Sequence, residues 1–176
     1  MNLIVAIDDD YGIGLNGDLI YHISADLKYF KKLTTGKVVV MGKATYLSLP
    51  KKPLPNRVNI VLSSTCKELE GAILCKNTQE LFNRLNQYNT NDVFVIGGAS
   101  VYKSLLPYCS YAYITKIHKS TKADTYFENI DKLKNWSLIE NNAPQSENGT
   151  FFEFCVYKNA NPLPITSLNQ NTGINK

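Results

Sequence analysis

Asp26 is the residue whose type and position point most clearly to chemistry. It lies in a helix predicted over 25–34, on the same side as Phe30 and Leu33, whereas the lysines of this helix take the other side. A carboxyl group that faces an apolar core costs several kcal/mol unless it is paired, hydrogen-bonded or protonated. We therefore expect a polar partner or a ligand for Asp26. The alternative is that Ser24 is an N-cap and Asp26 a first-turn acid favoured by the helix dipole.

Residues suited to phosphate binding follow three of the apolar runs. Gly42, Lys43, Ala44 and Thr45 follow the first of these runs, Ser63 and Ser64 the second, and Gly97, Gly98 and Ala99 the third. Ligands of open α/β sheets gather at the carboxyl ends of strands, where free backbone N–H groups, hydroxyls and a cation suit phosphate oxygens. Each set can equally be turn chemistry or a solvated lysine. The chain matches neither the G-x-G-x-x-G nor the P-loop pattern.

The order of apolar runs predicts the elements that must position these residues. Strands are expected over 3–7, 38–41, 58–62, 72–75, 93–96, 111–117, 136–140 and 151–157, and helices over 25–34, 44–49, 78–86 and 99–106. This alternation predicts an α/β fold: a mixed, mainly parallel eight-stranded sheet flanked by four helices, with an antiparallel C-terminal edge strand after an Asn148-Gly149 turn. The glycine-bearing loop at 12–18 resembles a lid, or is simply a connection.

Composition and charge limit the possible classes of protein. The 176 residues are 44% hydrophobic and 19% charged, with a net charge of +4, as in an ordinary globular domain. We expect one domain over 1–158 and a polar, disordered tail over 159–176. No Lys/Arg block is interleaved with aromatics, so the mild positive charge suits an anionic small molecule better than nucleic acid.

The cysteines, the histidines and the N-terminal run suggest where the protein works. The four cysteines lack C-x-x-C spacing and are predicted to be buried thiols in a reducing compartment. The two histidines are far apart in sequence, so we expect no metal site. No segment approaches the ~20 apolar residues of a membrane span, and the first apolar run is too short for a signal peptide. These features predict a cytoplasmic protein, expected to be a monomer, that has no membrane partner.

Several blocks occur in collinear order over residues 1 to 158 and together resemble the dihydrofolate reductase family. They are Ile13-Gly14, Ala25-Asp26-Leu27 with Tyr29-Phe30-Lys31, Val40-Met41-Gly42-Lys43 with Thr45-Tyr46, the segment 53–63, Val95-Ile96-Gly97-Gly98-Ala99 with Val101-Tyr102, and Asp124-Thr125-Tyr126-Phe127. The resemblance implies NADPH-dependent reduction of 7,8-dihydrofolate to 5,6,7,8-tetrahydrofolate, with hydride added at C6 and a proton at N5. It also implies that antifolate inhibitors bind.

The resemblance assigns roles on the substrate side. Asp26 would hold the 2-amino group and N3 of the pterin and favour N5 protonation, with a pKa raised mainly by desolvation. Thr115 would support Asp26, and Arg57 would clamp the glutamate carboxylate of the substrate. The other implied substrate contacts are Ile4, Val5, Leu27, Phe30, Leu49, Leu54, Ile96 and Tyr102, of which several are equally ordinary core residues.

The resemblance also assigns residues to NADPH. Lys43, Thr45, Ser63, Ser64 and Lys76 match positions near the adenosine phosphates, and the Gly97–Gly98 peptide bond is expected to be cis. The remaining implied cofactor contacts are Ala6, Ile13, Gly14, Leu19, Gly42, Ala44, Leu62, Ile96, Gly97, Gly98, Ala99, Ser100, Val101 and Tyr102.

Two departures from the family pattern affect these expectations. Ile20-Tyr21 stands where the family usually has Pro-Trp, and the ring and hydroxyl of Tyr21 are expected to serve in the catalytic site with altered ligand affinity. Ser100 stands where some members have an arginine for the 2′-phosphate, so Lys43 and Lys76 must serve instead. Two alternatives remain open: a pteridine or pyrimidine reductase of the same fold, as in riboflavin synthesis, and a non-catalytic nucleotide-binding module. The first has no need of the Asp26 and Arg57 pair.

Overall fold

The computed structural model describes residues 1–165 and contains four helices and twelve strands within them. The helices are α1 (Ser24–Thr34), α2 (Lys43–Ser48), α3 (Thr78–Leu85) and α4 (Ala99–Leu105). The strands are β1 (Asn2–Asp8), β2 (Gly12–Leu15), β3 (Asp18–Leu19), β4 (Val38–Gly42), β5 (Val58–Leu62), β6 (Ile73–Cys75), β7 (Val93–Gly97), β8 (Tyr111–Ile117), β9 (Thr125–Tyr126), β10 (Trp136–Asn141), β11 (Gln145–Glu147) and β12 (Thr150–Asn159).

Buried apolar strands pair in parallel at the centre of the main sheet. Its strand order is β10-β12-β8-β1-β7-β4-β5-β6, and the pairs from β8 to β6 are all parallel. Both faces of these strands are covered, which explains their continuous apolar sequences. Along β4, Val38 and Val40 belong to the core that contains α3 and α4, whereas Val39 and Met41 pack with Tyr46 of α2. The predicted mixed, mainly parallel α/β fold is confirmed.

The C-terminal strands differ in detail from the prediction. The last strand, β12, is antiparallel as expected, but it lies between β8 and β10, so that β10 forms the edge. The short β11 also pairs with β12 and adds a ninth strand to this sheet. The Asn148-Gly149 turn joins β11 to β12, and both residues have positive φ, which an Asn-Gly hairpin turn accommodates.

A second sheet forms where the sequence predicted only a glycine-bearing loop. Here β2 pairs with β3 on one side and with β9 on the other, in an antiparallel three-stranded arrangement. Of these strands β3 and β9 have two residues each, which is too short for a hydrophobic alternation to be visible in the sequence. The loop after β1 is therefore partly ordered by backbone pairing.

The predicted domain boundary after Lys158 falls too early. Asn159 completes β12 and is buried, with its side-chain amide donating to the Cys109 carbonyl at 3.0 Å and accepting from the Asn135 amide at 2.9 Å. Beyond it, Leu163 donates its N–H to Pro107, and Ile165 packs on the core. Residues 166–176 of the predicted tail lie outside the described residues.

The other composition-based expectations concern cysteines, metals and membranes. Cys75, Cys109 and Cys155 are buried, Cys66 is half-buried, and all four are free thiols. Within residues 1–165 no group of three or more His, Cys, Asp or Glu side chains could hold a metal ion. In the same residues no helix combines the length and apolarity that a membrane crossing requires.

Asn159→Ala should destabilise the fold. The substitution leaves the buried Cys109 carbonyl without the Asn159 amide, at about 1 to 3 kcal/mol for a buried polar group left unsatisfied, and removes the acceptor of the half-buried Asn135 amide. Urea unfolding measures the loss. Lys158→Ala, at the exposed neighbouring position of the same strand, is the control and should unfold as the parent does. Equal stability of the two variants would contradict the assignment of Asn159 to the packed domain.

Candidate active site

Asp26 and Thr115 form the hydrogen-bonded pair that the sequence predicted. α1 brings Asp26 against β8, where the Thr115 hydroxyl donates to the Asp26 carboxylate at 2.5 Å. Thr115 is almost fully buried and lies opposite Ala6 of β1 in the parallel register. Burial raises the pKa of Asp26 above its ordinary value, and the hydrogen bond from Thr115 offsets this only in part. No cation within residues 1–165 forms an ion pair with Asp26.

The N-terminus of α1 is capped by a distant carboxylate and not by Ser24. Ser24 is the first helical residue, and the side chain of the preceding Ile23 makes no capping bond. The Glu147 carboxylate instead accepts the N–H groups of Ser24 at 2.7 Å and Ala25 at 3.1 Å. The Ser24 N–H bond is the main reason why the pKa of Glu147 lies below its usual value. The β11–β12 hairpin therefore holds the helix that carries Asp26, and the Ser24 N-cap interpretation is wrong.

Arg57 lies beside α1 with part of its guanidinium still available. Its guanidinium carbon is 5.6 Å from the centre of the Phe30 ring, and one terminal nitrogen donates to the Thr35 hydroxyl at 3.3 Å. Its Nε is buried and has no hydrogen-bond partner within residues 1–165. Burial lowers the pKa of Arg57, so the site favours an added anion. Arg57 as a whole is only half-buried, so a carboxylate would meet its terminal N–H groups and not the buried Nε.

The other predicted substrate residues lie in several different places. Leu49, Leu54 and Ile96 pack on one core cluster, and Val5, Ile96 and Tyr102 line the cavity described below. Ile4 is buried, and its carbonyl accepts from the Tyr102 hydroxyl at 2.7 Å, which fixes that ring. Leu27 is 47% exposed on α1. The structure thus brings Leu49, Leu54 and Ile96 together and pairs Phe30 with Arg57.

Tyr21 lies in the apolar layer between α1 and the sheet. Its ring packs on a cluster that also includes Ala6, Ala25 and Phe154. The hydroxyl is buried and has no hydrogen-bond partner within the described residues, so it is not bonded to Asp26. Burial, followed by the nearby carboxylates of Asp8 and Asp9, raises the pKa of Tyr21. An unpaired buried hydroxyl of this kind is a candidate ligand contact.

A cavity of about 710 Å³ opens at the carboxyl ends of β4, β5 and β7. Every residue that the sequence predicted for cofactor binding lines it. Lining residues that the sequence reasoning missed are Gly17, Asp18, Ser48, Asn77, Thr78, Ser104 and Thr125. Some were within reach of that reasoning, because Asn77 and Thr78 follow a strand, and Ser48 and Ser104 lie one helical turn after Ala44 and Ser100.

Glycine backbone leaves room for a ligand in this cavity. The Gly97–Gly98 peptide bond is cis, as expected, and Gly97 has φ +123°, a conformation that L side chains rarely adopt. A Cβ on Gly98 would lie 3.2 Å from the Thr45 hydroxyl, and one on Gly42 would lie 3.2 Å from a Val101 methyl group. The cavity therefore offers exposed backbone beside Lys43, Thr45, Ser63 and Ser64, a donor set that fits the phosphates of a dinucleotide.

Comparisons with known proteins agree with this geometry. The family model described as dihydrofolate reductase matches residues 1–159. The chain is 37% identical over 173 residues to dihydrofolate reductase of Drosophila melanogaster, covering 88% of this chain and 95% of the relative. It is 35% identical over 164 residues to that of Bacillus subtilis (strain 168), covering 92% and 95%. A solved structure of dihydrofolate reductase from Enterococcus faecalis, complexed with NADP(H) and RAB-propyl, has a TM-score of 0.80 and 32% identity, covering 90% of this chain and 95% of that one.

The chain belongs to the dihydrofolate reductase family. It is therefore an oxidoreductase that uses NADPH to reduce dihydrofolate to tetrahydrofolate, and the predicted activity and cofactor are confirmed.

Asp26→Asn should stabilise the ligand-free protein at neutral pH. The pKa of Asp26 is raised in the folded state, so the protonated side chain contributes stability below the unfolded pKa. This contribution is lost as the pH rises through the folded pKa, above which the buried carboxylate disfavours folding. Asparagine does not titrate and can still accept from Thr115. The thermal midpoint of Asp26→Asn should exceed that of the parent at pH 7, and the difference should shrink toward pH 4 and below, near the ordinary pKa of aspartate.

Glu147→Ala is the comparison of opposite sign. The pKa of Glu147 is lowered in the folded state, so its stabilising effect is present above the unfolded pKa and disappears as the pH falls through the folded pKa. This variant should melt below the parent at pH 7 and approach it in acid. Changes of the same sign in both variants would contradict the environments described for the two carboxylates.

Proposed function

We propose that Asp26 holds the pterin ring of dihydrofolate through its 2-amino group and N3 and favours protonation at N5. The observation that carries this role is the position of the carboxylate, which is buried, bonded to Thr115 and free of any paired cation within residues 1–165. Ala6, which lies opposite Thr115 in the sheet, lines the cavity, whereas Asp26 itself does not. Two N–H donors of a pterin would match the two oxygens of Asp26.

The residues around Asp26 support the same chemistry. NADPH, when bound, supplies the hydride that is added at C6. Thr115 keeps one carboxylate oxygen in place, and the apolar surroundings strengthen each hydrogen bond that Asp26 makes. The buried hydroxyl of Tyr21 is proposed to contact ligand in place of the usual tryptophan of the family. Arg57 is proposed to clamp the glutamate carboxylate, because its half-buried guanidinium lies beside Phe30 of α1 and forms no ion pair within the described residues.

The cofactor residues are proposed to act at the strand ends. Gly97 and Gly98 would let the pyrophosphate approach the backbone, and Lys43 and Lys76 with Ser63 and Ser64 would surround the 2′-phosphate. Both lysines are exposed at the cavity rim, where cations neutralise phosphate charge. A modest positive net charge of the chain supports the same binding.

We also propose a cytoplasmic monomer that binds small molecules, antifolates among them, and no nucleic acid. The support for a reducing compartment is that all four cysteines are free thiols, three of them buried. An antifolate with a protonated ring nitrogen would place that charge on Asp26, which has no other cation beside it in the described residues.

Asp26→Asn should lower the rate of hydride transfer by roughly two orders of magnitude at pH 7, the scale of a general acid–base contribution. The rate should recover in acid, where solvent protonates the substrate. Dihydrofolate-dependent oxidation of NADPH under single-turnover conditions measures both effects. In Thr115→Val the rate should begin to fall at a higher pH than in the parent, because removal of the hydrogen bond raises the pKa of Asp26 further. Unchanged turnover by Asp26→Asn at pH 7 would refute the role assigned to this carboxylate.

Lys43→Ala should weaken NADPH binding by about tenfold, as for a lost hydrogen bond to a charged group, and should affect NADH much less. Equilibrium titration of each dinucleotide measures the two changes. Lys103→Ala removes the same charge from an exposed position of α4 outside the cavity lining and should change neither affinity. An equal loss for NADPH and NADH would show that Lys43 does not contact the 2′-phosphate.

A further inference from the structure

A cluster of polar side chains meets at Asp131, away from the residues assigned to ligands. Asp131 lies in the short helical turn Ile130–Lys132, and its two oxygens accept from three donors on three different segments. Tyr11 donates to one oxygen at 2.6 Å, Tyr157 of β12 donates to the other at 2.6 Å, and the Lys116 ammonium of β8 is 3.1 Å away. The roles proposed above use none of these four side chains.

The carboxylate of Asp131 is firmly placed and charged. Burial opposes its ionisation, but the hydrogen bonds from Tyr11, Tyr157 and Lys116 outweigh this effect and hold its pKa below the ordinary value. Lys116 and Tyr157 belong to the paired strands β8 and β12, which both lie inside the main sheet, and Tyr157 is nearly fully buried. The neighbouring Ile130 is completely buried as well. Asp131 is therefore part of the rigid body of the domain.

Tyr11 is the residue at which the chain leaves this rigid body. It follows β1 with φ +63°, its N–H donates to the Asp8 carbonyl at 3.0 Å, and β2 begins at the next residue. Its own carbonyl accepts from the Phe127 N–H at 2.8 Å. The Asp8 carboxylate accepts the N–H of Gly12 at 2.7 Å, and the side-chain bond from Tyr11 to Asp131 is a further link that directs the start of the segment 12–19.

The segment that starts at Tyr11 forms one wall of the cofactor cavity. Ile13, Gly14, Gly17, Asp18 and Leu19 all line the cavity, as does Thr125 of the paired strand β9. Residues 16–19 are exposed, so few packed side chains hold them in place. Tyr11 and Asp131 do not line the cavity themselves. A change in the direction of the chain at Tyr11 is passed directly to the wall through β2.

We propose that the hydrogen bond between Tyr11 and Asp131 is a positioning contact that holds the segment 12–19 against the cofactor cavity, so that the affinity for NADPH depends on a hydroxyl that does not contact the cofactor. This inference rests on the proposed placement of NADPH in that cavity. Loss of the hydroxyl lets the wall sample other positions, and binding must then order it again.

The chain offers a matched pair of variants that tests this proposal. Tyr11→Phe and Tyr157→Phe each remove one hydroxyl that donates to the same carboxylate at the same 2.6 Å, and only Tyr11 leads into the cavity wall. Two readouts separate positioning from general stability: fluorescence titration with NADPH, and amide hydrogen exchange of residues 12–19 in the cofactor-free protein. The thermal midpoint of each variant is recorded alongside.

Tyr11→Phe should raise the Kd for NADPH by about fivefold, as for partial loss of one hydrogen bond to a charged acceptor, and should speed exchange over 12–19. Tyr157→Phe should lower the thermal midpoint and leave Kd and that exchange near the parent values. Lys116→Met removes the third donor and is the control to use if Tyr157→Phe unfolds at the assay temperature. It should likewise leave Kd unchanged.

Three outcomes would overturn the proposal. Equal changes of Kd in Tyr11→Phe and the folded control would show a general effect of Asp131, and unchanged exchange over 12–19 in Tyr11→Phe would show that the wall needs no such contact. In both cases the parent still binds NADPH, so the proposed function stands. Failure of the parent to bind NADPH saturably would overturn the proposed cofactor site together with this inference, which distinguishes the two failures.

Discussion

The constraint on which the site depends is the burial of the Asp26 carboxyl group without a paired cation among residues 1–165. A buried carboxyl group without a cation costs free energy unless hydrogen bonds compensate it or its pKa rises so that it becomes protonated. Here a single hydroxyl, that of Thr115, bonds the carboxylate, and Glu147 fixes the helix on which it stands. Thr115 belongs to β8 and Glu147 to β11, so these two strands position α1 and its Asp26 as well as extending the sheet. The placement of Asp26, near the N-terminus, therefore depends on strands that come much later in the chain.

The cavity proposed for the cofactor must admit a large anionic ligand. It is lined largely by glycine backbone and small side chains. Gly97 and Gly98 leave the end of β7 open, and Thr45 limits how close any larger residue could come. The two halves meet at β1, where Ala6 lines the cavity and lies opposite Thr115. The side-by-side placement that we propose for substrate and cofactor rests on this strand order, in which β1 lies between β7 and β8.

How far the sequence could predict these features depends on whether the signal was local. The eight strands of the main path and the four helices follow apolar runs, and their bounds agree with the structure within a few residues. The strands β2, β3, β9 and β11 have two to four residues with little apolar alternation, so nothing in their sequences marks them. The helix cap was missed because Glu147 is 123 residues from Ser24 in sequence. The polar composition after Lys158 predicts a tail that includes Asn159, because composition does not reveal which polar side chains form buried hydrogen bonds.

The same distinction applies within the site. Residues proposed to touch ligands are restricted in type by chemistry, so a resemblance can suggest them, and those that it assigned to NADPH all line one cavity. A residue that positions others needs only a donor or acceptor in the right place, so its type is less restricted. Nothing in the sequence around Glu147 or Asp131 therefore marks either as a positioning residue. Buried polar atoms without a hydrogen-bond partner also distinguish the proposed substrate side. Of the three buried side-chain polar atoms without a partner in residues 1–165, Tyr21 Oη and Arg57 Nε belong to the proposed substrate side. Each lowers the stability of the free protein, and a ligand that pairs with them regains that free energy as affinity. The stability cost of the unliganded site and the affinity of a ligand that pairs with these atoms therefore have the same physical origin.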